Sequence, residues 1–318
     1  MRMLPCLFGL LVGILLWTPL AAQDFPSRSI RIIAPFGPGT ATDTVARVVA
    51  AEMSRRTGQS VVVDNRPGAE GQIGAQAAAA PDGYTIFVTT QTTQAINQHV
   101  YKSLPYDPVK SFAPISGLSS GAQIVMVRND LPVKSIPELI ALARSQPGKL
   151  TFGSGNGSAR GAAELFRIMA KVDLLGVPYK TQPQVIADLL GGRIDVTFSD
   201  FTTGLPPVRD GRARGLAVTS PERYRGLEQF PTVAESGLPG YESRPWNAAY
   251  APAGTPRPII DRLNRLIREA VASEAYQTLL RTTLGVPFPG SPEELAAWQE
   301  KEIVKWGEVV RIAGMKEP

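Results

Sequence analysis

Residues 29–43 read Ser29-Ile-Arg-Ile-Ile-Ala-Pro-Phe-Gly-Pro-Gly-Thr-Ala-Thr-Asp43, and the chain continues as Thr44-Val-Ala-Arg-Val-Val-Ala50. Residues 149–160 read Lys149-Leu-Thr-Phe-Gly-Ser-Gly-Asn-Gly-Ser-Ala-Arg160 and continue as Gly161-Ala-Ala-Glu-Leu-Phe-Arg-Ile-Met-Ala170. Both stretches follow one order: a short β-prone run, a loop of glycine and hydroxyl residues, then an amphipathic helix. A helix N-terminus offers unpaired N–H groups and the positive end of the macrodipole, so a loop that leads into one accepts an anion. Two such units imply two lobes closing on one small anionic molecule.

The alternation extends on either side of the first unit. Residues 31–34 read as a buried strand, and residues 43–56 as a helix with Val45, Val48, Val49 and Met53 on one face and Gly58 as its stop. Residues 60–64 read as a second strand, an Ala-rich helix runs to Ala80, and Pro81-Asp-Gly83 turns into a third strand from Tyr84. This β-α-β-α-β order predicts a mainly parallel sheet with helices on its faces, and sheets of that kind bind ligands at the carboxyl ends of their strands. The scheme repeats after residue 123. Strands are predicted at 123–127, 150–152, 174–177, 195–198 and 214–219, with helices from Ser135, from about Gly161 and over 184–190. The C-terminal part is helical over 256–272, and Ser291-Pro-Glu-Glu294 opens a last helix with a capping box and proline at its first position.

Composition sets the broad class. The 318 residues are 43% hydrophobic and 19% charged, enough for a folded protein of two ordinary domains. The formal charge of +5 is spread thinly, with no dense basic run and no interleaved aromatics, which argues against a nucleic-acid partner. At the N-terminus Arg2, the apolar run Leu7 to Trp17 and Pro19-Leu-Ala-Ala22 read as an export signal cleaved after Ala22. Cys6 would leave with it, so the mature chain is expected in the periplasm, free of cysteine and stabilised by its core.

The loop Pro35-Phe-Gly-Pro-Gly-Thr-Ala-Thr-Asp43 resembles that of the Bug-type, TctC-like extracytoplasmic solute receptors of tripartite tricarboxylate transporters. The resemblance continues through residues 62–74, Pro81-Asp-Gly-Tyr-Thr85, residues 95–107, Ser154-Gly-Asn-Gly-Ser158, Val177-Pro-Tyr-Lys180, residues 211–220, residues 231–241 and Ala251-Pro-Ala-Gly-Thr-Pro256. It implies an α/β, two-lobe type II periplasmic-binding-protein fold with a ligand cleft between lobes. The first lobe would span 24–122 and 248–318, the second 123–247. It also implies a small carboxylate ligand, membrane transporter subunits as partners, a monomer, no cofactor and no metal. Carried onto this chain, the ligand loops are 36–43 (Phe36, Gly37, Pro38, Gly39, Thr40, Thr42, Asp43), 89–92 (Thr89, Thr90, Gln91, Thr92) and 154–158 (Ser154, Gly155, Asn156, Gly157, Ser158). Arg160, Ser199 and Asp200 complete the set. Three departures fall where specificity is set: Thr40 stands where the family commonly has a second glycine, Arg160 where many members carry His, and Ser199-Asp200 where many carry Asp-Asn.

Each of these residues also has a plainer reading. In residues 36–43 the loop can be a turn with Thr42 or Asp43 as helix cap. At 154–158 the alternate glycines Gly153, Gly155 and Gly157 let backbone approach a ligand closely. Arg160 suits a bidentate carboxylate grip, but a cation in a first helical turn opposes the macrodipole and is often only solvent-facing or paired. Asp200 either takes a ligand ammonium or hydroxyl, or bonds the loop after its strand. Trp246 either walls the cleft or packs between lobes. Asp64-Asn-Arg66-Pro reads as a structural turn. His99, the sole histidine, is expected on an exposed helix and too isolated for a zinc set or a Ser–His–Asp triad. No catalytic residue is assigned. A signalling ligand-binding subunit and, more remotely, an exported hydrolase on a related fold are the competing functions.

Overall fold

A computed structural model describes residues 25–315, so the expected export signal lies outside the described residues. The elements, in chain order, are β1 (Ile30–Ala34), α1 (Ala41–Thr57), β2 (Val61–Asn65), α2 (Gln72–Ala78), β3 (Thr85–Thr90), a π-helical turn (Thr92–Ile96) and α3 (Asn97–Val100). Then come β4 (Phe112–Ser120), β5 (Gln123–Arg128), α4 (Ile136–Ser145), β6 (Thr151–Ser154), α5 (Gly157–Ala170), β7 (Leu175–Pro178) and α6 (Gln182–Leu190). The rest are β8 (Val196–Asp200), α7 (Phe201–Arg209), β9 (Ala213–Val218), β10 (Trp246–Pro252), α8 (Arg257–Val271), α9 (Glu274–Thr283), β11 (Val286–Pro287) and α10 (Pro292–Ala313).

The strands form two sheets, ordered β11-β4-β10-β3-β1-β2 and β7-β6-β8-β5-β9. Helices cover both, giving the expected two-lobe α/β architecture. The sheets are mixed rather than mainly parallel. β1 runs parallel to β2 and β3, and β6 parallel to β7 and β8. β10 runs antiparallel to β3 and β4, and β5 antiparallel to β8 and β9. The reason is the crossing chain: β4 ends at Ser120 in the first sheet and β5 starts at Gln123 in the second, so only Gly121 and Ala122 separate them. The chain returns between β9 and β10, and β10 enters the first sheet against its parallel half.

Local chemistry explains the element ends. Gly58 closes α1 in the left-handed conformation at φ 68°, where glycine carries no steric penalty. Ser135 caps α4 through the Glu138 amide, and Ser291 makes the predicted capping box with Glu294. α5 begins at Gly157, four residues ahead of its expected start, because Asn156 caps it and the glycine-rich loop is already turning into helix. α7 was not anticipated, since it holds Pro206 and Pro207 in its body.

Each sheet buries both faces. In the second lobe Phe152, Phe166, Phe198 and Tyr241 centre one core and Ile124, Val185, Leu189 and Phe201 the other. In the first, Ile32, Val49, Ile86 and Leu263 lie on one face and Ile33, Phe87, Trp246 and Tyr250 on the other. A further cluster lies under α10, where Trp306 meets Ala95 and Ile96 of the first lobe and partly buried Leu165 and Ile168 of the second. His99 is half-buried there rather than exposed: its Nε2–H donates to the Ile303 carbonyl at 3.0 Å.

Candidate functional site

Strand ends from both sheets open into one cleft of about 890 Å³. Helix N-termini gather around it because each follows the carboxyl end of a strand: α1 after β1, α5 after β6, α6 after β7 and α7 after β8. Their capping residues Thr40, Asn156, Thr181 and Asp200 all line it.

Thr40, not Thr42 or Asp43, caps α1; its hydroxyl accepts from the Asp43 amide at 3.4 Å and donates to the Gly37 carbonyl at 2.8 Å. Asp43 is buried beneath the loop. Its carboxylate accepts from the Gly39 amide at 2.9 Å, Arg47 Nε at 3.1 Å and Asn65 Nδ2 at 2.9 Å. Burial alone would raise its pKa; the bonds from Arg47, Gly39 and Asn65 outweigh it and hold the carboxyl below its ordinary value. Asn65 also donates to the Phe36 carbonyl, so the turn at 64–67 fixes the loop. Thr42 donates to Asn247 Oδ1 at 2.8 Å, and Asn247 donates to Ser119, which ties α1 to β10 and β4.

In the second lobe Asn156 accepts from the Ala159 amide at 2.9 Å. The glycines of this loop make room for protein. A Cβ on Gly155 would lie 2.2 Å from the Gln182 amide nitrogen, and one on Gly157 would lie 2.8 Å from Thr92 Cγ2 of the first lobe. The Thr92 and Ser158 hydroxyls are 3.3 Å apart across the cleft edge, so the lobes already touch there. At α7, Asp200 takes the plainer of its two readings. Its carboxylate accepts from the Thr203 amide and hydroxyl, both at 3.0 Å, while the Ser199 and Thr203 hydroxyls pair at 2.7 Å. One edge of Asp200 still faces the cleft, yet burial raises its pKa above the ordinary range, only partly offset by the Thr203 bonds.

Of the expected ligand residues, Phe36, Gly37, Thr40, Thr42, Thr90, Gly155, Asn156, Ser158, Arg160 and Asp200 line the cleft. Pro38, Gly39, Asp43, Thr89, Gln91, Thr92, Ser154, Gly157 and Ser199 do not; they shape the loops behind or beside it. Trp246 lines the cleft, and its fully buried ring packs into the first-lobe core rather than between lobes, donating from Nε1 to Glu302 at 3.1 Å.

Several lining segments escaped the sequence reading, among them 119–123, 279–285 and the two that follow. Residues 178–183 follow β7, and Thr181-Gln-Pro183 carries the cap-and-proline pattern of a helix start. Residues 67–71 enter as a left-handed turn, with φ of 131°, 46°, 50° and 87° from Gly68 to Gly71, and Asn97 donates to the Glu70 carbonyl to hold it. The glycines at 68 and 71 were the available sign. Among the described residues no group of His, Cys, Asp or Glu is placed to hold a metal, and no helix is long and apolar enough to cross a membrane.

Comparison with known proteins runs the length of this architecture. Residues 45–315 match the family described as tripartite tricarboxylate transporter family receptor. Protein BugT of Bordetella pertussis is 34% identical over 94% of this chain and 93% of its own length. The R. palustris protein Rpa4515, solved with adipate, superposes with a TM-score of 0.87 at 35% identity, covering 92% of this chain and 99% of that one. MatC from Rhodopseudomonas palustris, solved with malate, gives 0.83 at 31% identity over 90% of this chain and all of the other. With the two-lobe fold, the cleft and these matches in agreement, the chain belongs to the tripartite tricarboxylate transporter receptor family, among its Bug-type, TctC-like members.

Proposed function

We propose that this receptor captures a small carboxylate in the cleft between its lobes and presents it to the membrane subunits of a tripartite transporter. The observation that carries the reading is the convergence of four helix starts, capped at Thr40, Asn156, Thr181 and Asp200, on one cleft. Open N–H groups and macrodipoles from both sides favour an anion between them. Hydroxyls of Thr40, Thr42, Thr90 and Ser158 and the first-turn amides of 41–42 and 157–158 are the proposed ligand contacts, with Arg160 as the cation at the rim. The adipate and malate carried by the two relatives support this ligand class.

The lobes are assigned to 24–122 with 248–318, and to 123–247, in keeping with the two-residue passage at Gly121–Ala122, except that Trp246 and Asn247 already pair in the first sheet as the start of β10. Ligand bridging both lobes favours the closed state by its differential contacts. The mature receptor is a periplasmic monomer that starts near Gln23. It works by binding rather than catalysis.

Thermal denaturation against succinate, malate, adipate and citrate tests the reading. A ligand that binds only the folded state stabilises it by about 2.7 kcal/mol at a hundredfold excess over Kd. At least one acid should raise the midpoint, and a complex should place its carboxylate at one of the four helix starts. No shift with any acid, or a ligand seated outside the cleft, overturns it.

A further inference from the structure

The helix starts account for only part of the cleft. Beside them part of its wall is apolar: Val45 from α1, Leu280 from α9, Leu284 just beyond α9, Ala122 from the passage between the sheets and Phe201 from the second lobe. The cleft volume of about 890 Å³ lies near the top of the range of about 300–1,000 Å³ typical of ligand pockets. A short acid gripped only at its ends would leave this wall in contact with water.

Leu284 is the unusual residue of that wall. It terminates α9 at φ 56°, a conformation that a bulky side chain seldom adopts and that the adjoining Gly285 would tolerate freely. Such strain persists only where surrounding structure over-determines it, and it gathers at ligand clamps and switch regions. Here the left-handed turn sends a first-lobe leucine across to the second lobe. Its side chain packs against the cluster of Ala122, Ile124 and Phe201, and its Cδ2 lies 3.5 Å from where a Cβ on Gly226 would sit. One residue therefore joins the lobes and faces the cleft.

We propose that Leu284 and its neighbours form a second, apolar subsite, and that the ligand is a carboxylic acid with an apolar body of aromatic-ring size. The carboxylate sits at the helix starts while the ring lies against Val45, Leu280, Leu284 and Phe201. This rests on the carboxylate-receptor reading and narrows it.

Calorimetric titration of the mature receptor with phenylacetate, acetate and succinate decides it. Phenylacetate should bind at least about tenfold more tightly than acetate, which shares its head group, because the ring removes apolar surface from water. Leu284→Gly accepts the left-handed backbone without strain and should weaken phenylacetate about tenfold while leaving succinate within about twofold. Val45→Thr, nearly isosteric, should weaken phenylacetate alone and serves if Leu284→Gly loosens the fold. Binding of succinate without phenylacetate, or equal losses for both acids in the variants, removes the apolar subsite and leaves the carboxylate receptor standing. Failure of all three acids removes the subsite, and failure of malate, adipate and citrate as well overturns the carboxylate reading.

Discussion

Asp43 and Asp200 are two carboxylates at helix starts beside one cleft, with pKa values displaced in opposite directions, Asp43 downward by its partners and Asp200 upward by burial. Asp43 is depressed. Its stabilisation is therefore present above the unfolded value near 3.9 and is lost as pH falls through the folded value. Asp43→Asn should cost about 1–3 kcal/mol at pH 7, since it breaks the bonds to Arg47 and the Gly39 amide. That difference should shrink on acidification below pH 4, as urea denaturation of both proteins at pH 7 and 3.5 will reveal. Asp200 is raised, so its favourable contribution lies at low pH and is lost as pH rises from the unfolded value through the folded one. Asn caps a helix as well as Asp. Asp200→Asn should keep stability at pH 7 within about 0.5 kcal/mol and strengthen binding of a carboxylate by about 1 kcal/mol through lost like-charge repulsion. Weaker binding in that variant would show that Asp200 accepts from the ligand.

The strand–loop–helix units were legible because their physics is local: β-prone runs, hydroxyl caps and apolar stripes all lie within fifteen residues of each other. β1, α1, α4, α8 and α10 carry such marks. What was not legible depends on partners distant in sequence. β4 reads Phe-Ala-Pro-Ile-Ser-Gly-Leu-Ser-Ser, with a proline and a glycine inside, and is a strand because β10 pairs with it from more than a hundred residues away. The loop at 154–158 was read as leading into a helix four residues later than α5 begins, and its glycines answer to Gln182 and Thr92, which no local pattern could name. Those contacts separate two effects. Gly155→Ala drives a Cβ into backbone of its own lobe and should cost about 1–3 kcal/mol of stability. Gly157→Ala meets a methyl of the opposite lobe, so it should leave the melting midpoint nearly unchanged and weaken ligand binding by hindering closure. Parallel melting and titration of the two variants check this; a large loss of stability for Gly157→Ala would contradict it.

At the scale of the whole molecule, α10 belongs to the first lobe by its start and reaches the second by its end. Trp306 fills the space over Gly161 of α5, where a Cβ would lie 2.6 Å from its ring. Glu302 accepts from the indoles of Trp306 at 3.0 Å and Trp246 at 3.1 Å, joining this strap to the cleft wall. Trp306→Ala should destabilise by about 3–5 kcal/mol and split one denaturation transition into two, which paired fluorescence and circular dichroism curves would resolve; coincident curves at an unchanged midpoint would mean that the strap does not couple the lobes. The passage of the chain between the sheets has a further consequence, in the order in which the strands of each sheet become available as the chain emerges. β5 to β9 are contiguous, so the second sheet can assemble as soon as residue 218 is available. β10, which stands between β3 and β4, arrives only after residue 246. Until then the first sheet is divided, with β3 and β4 each exposing an unpaired edge that can template intermolecular pairing. The vulnerable species during biogenesis is thus a half-built first lobe beside a finished second one, and it is the part of the chain that a chaperone has most reason to shield.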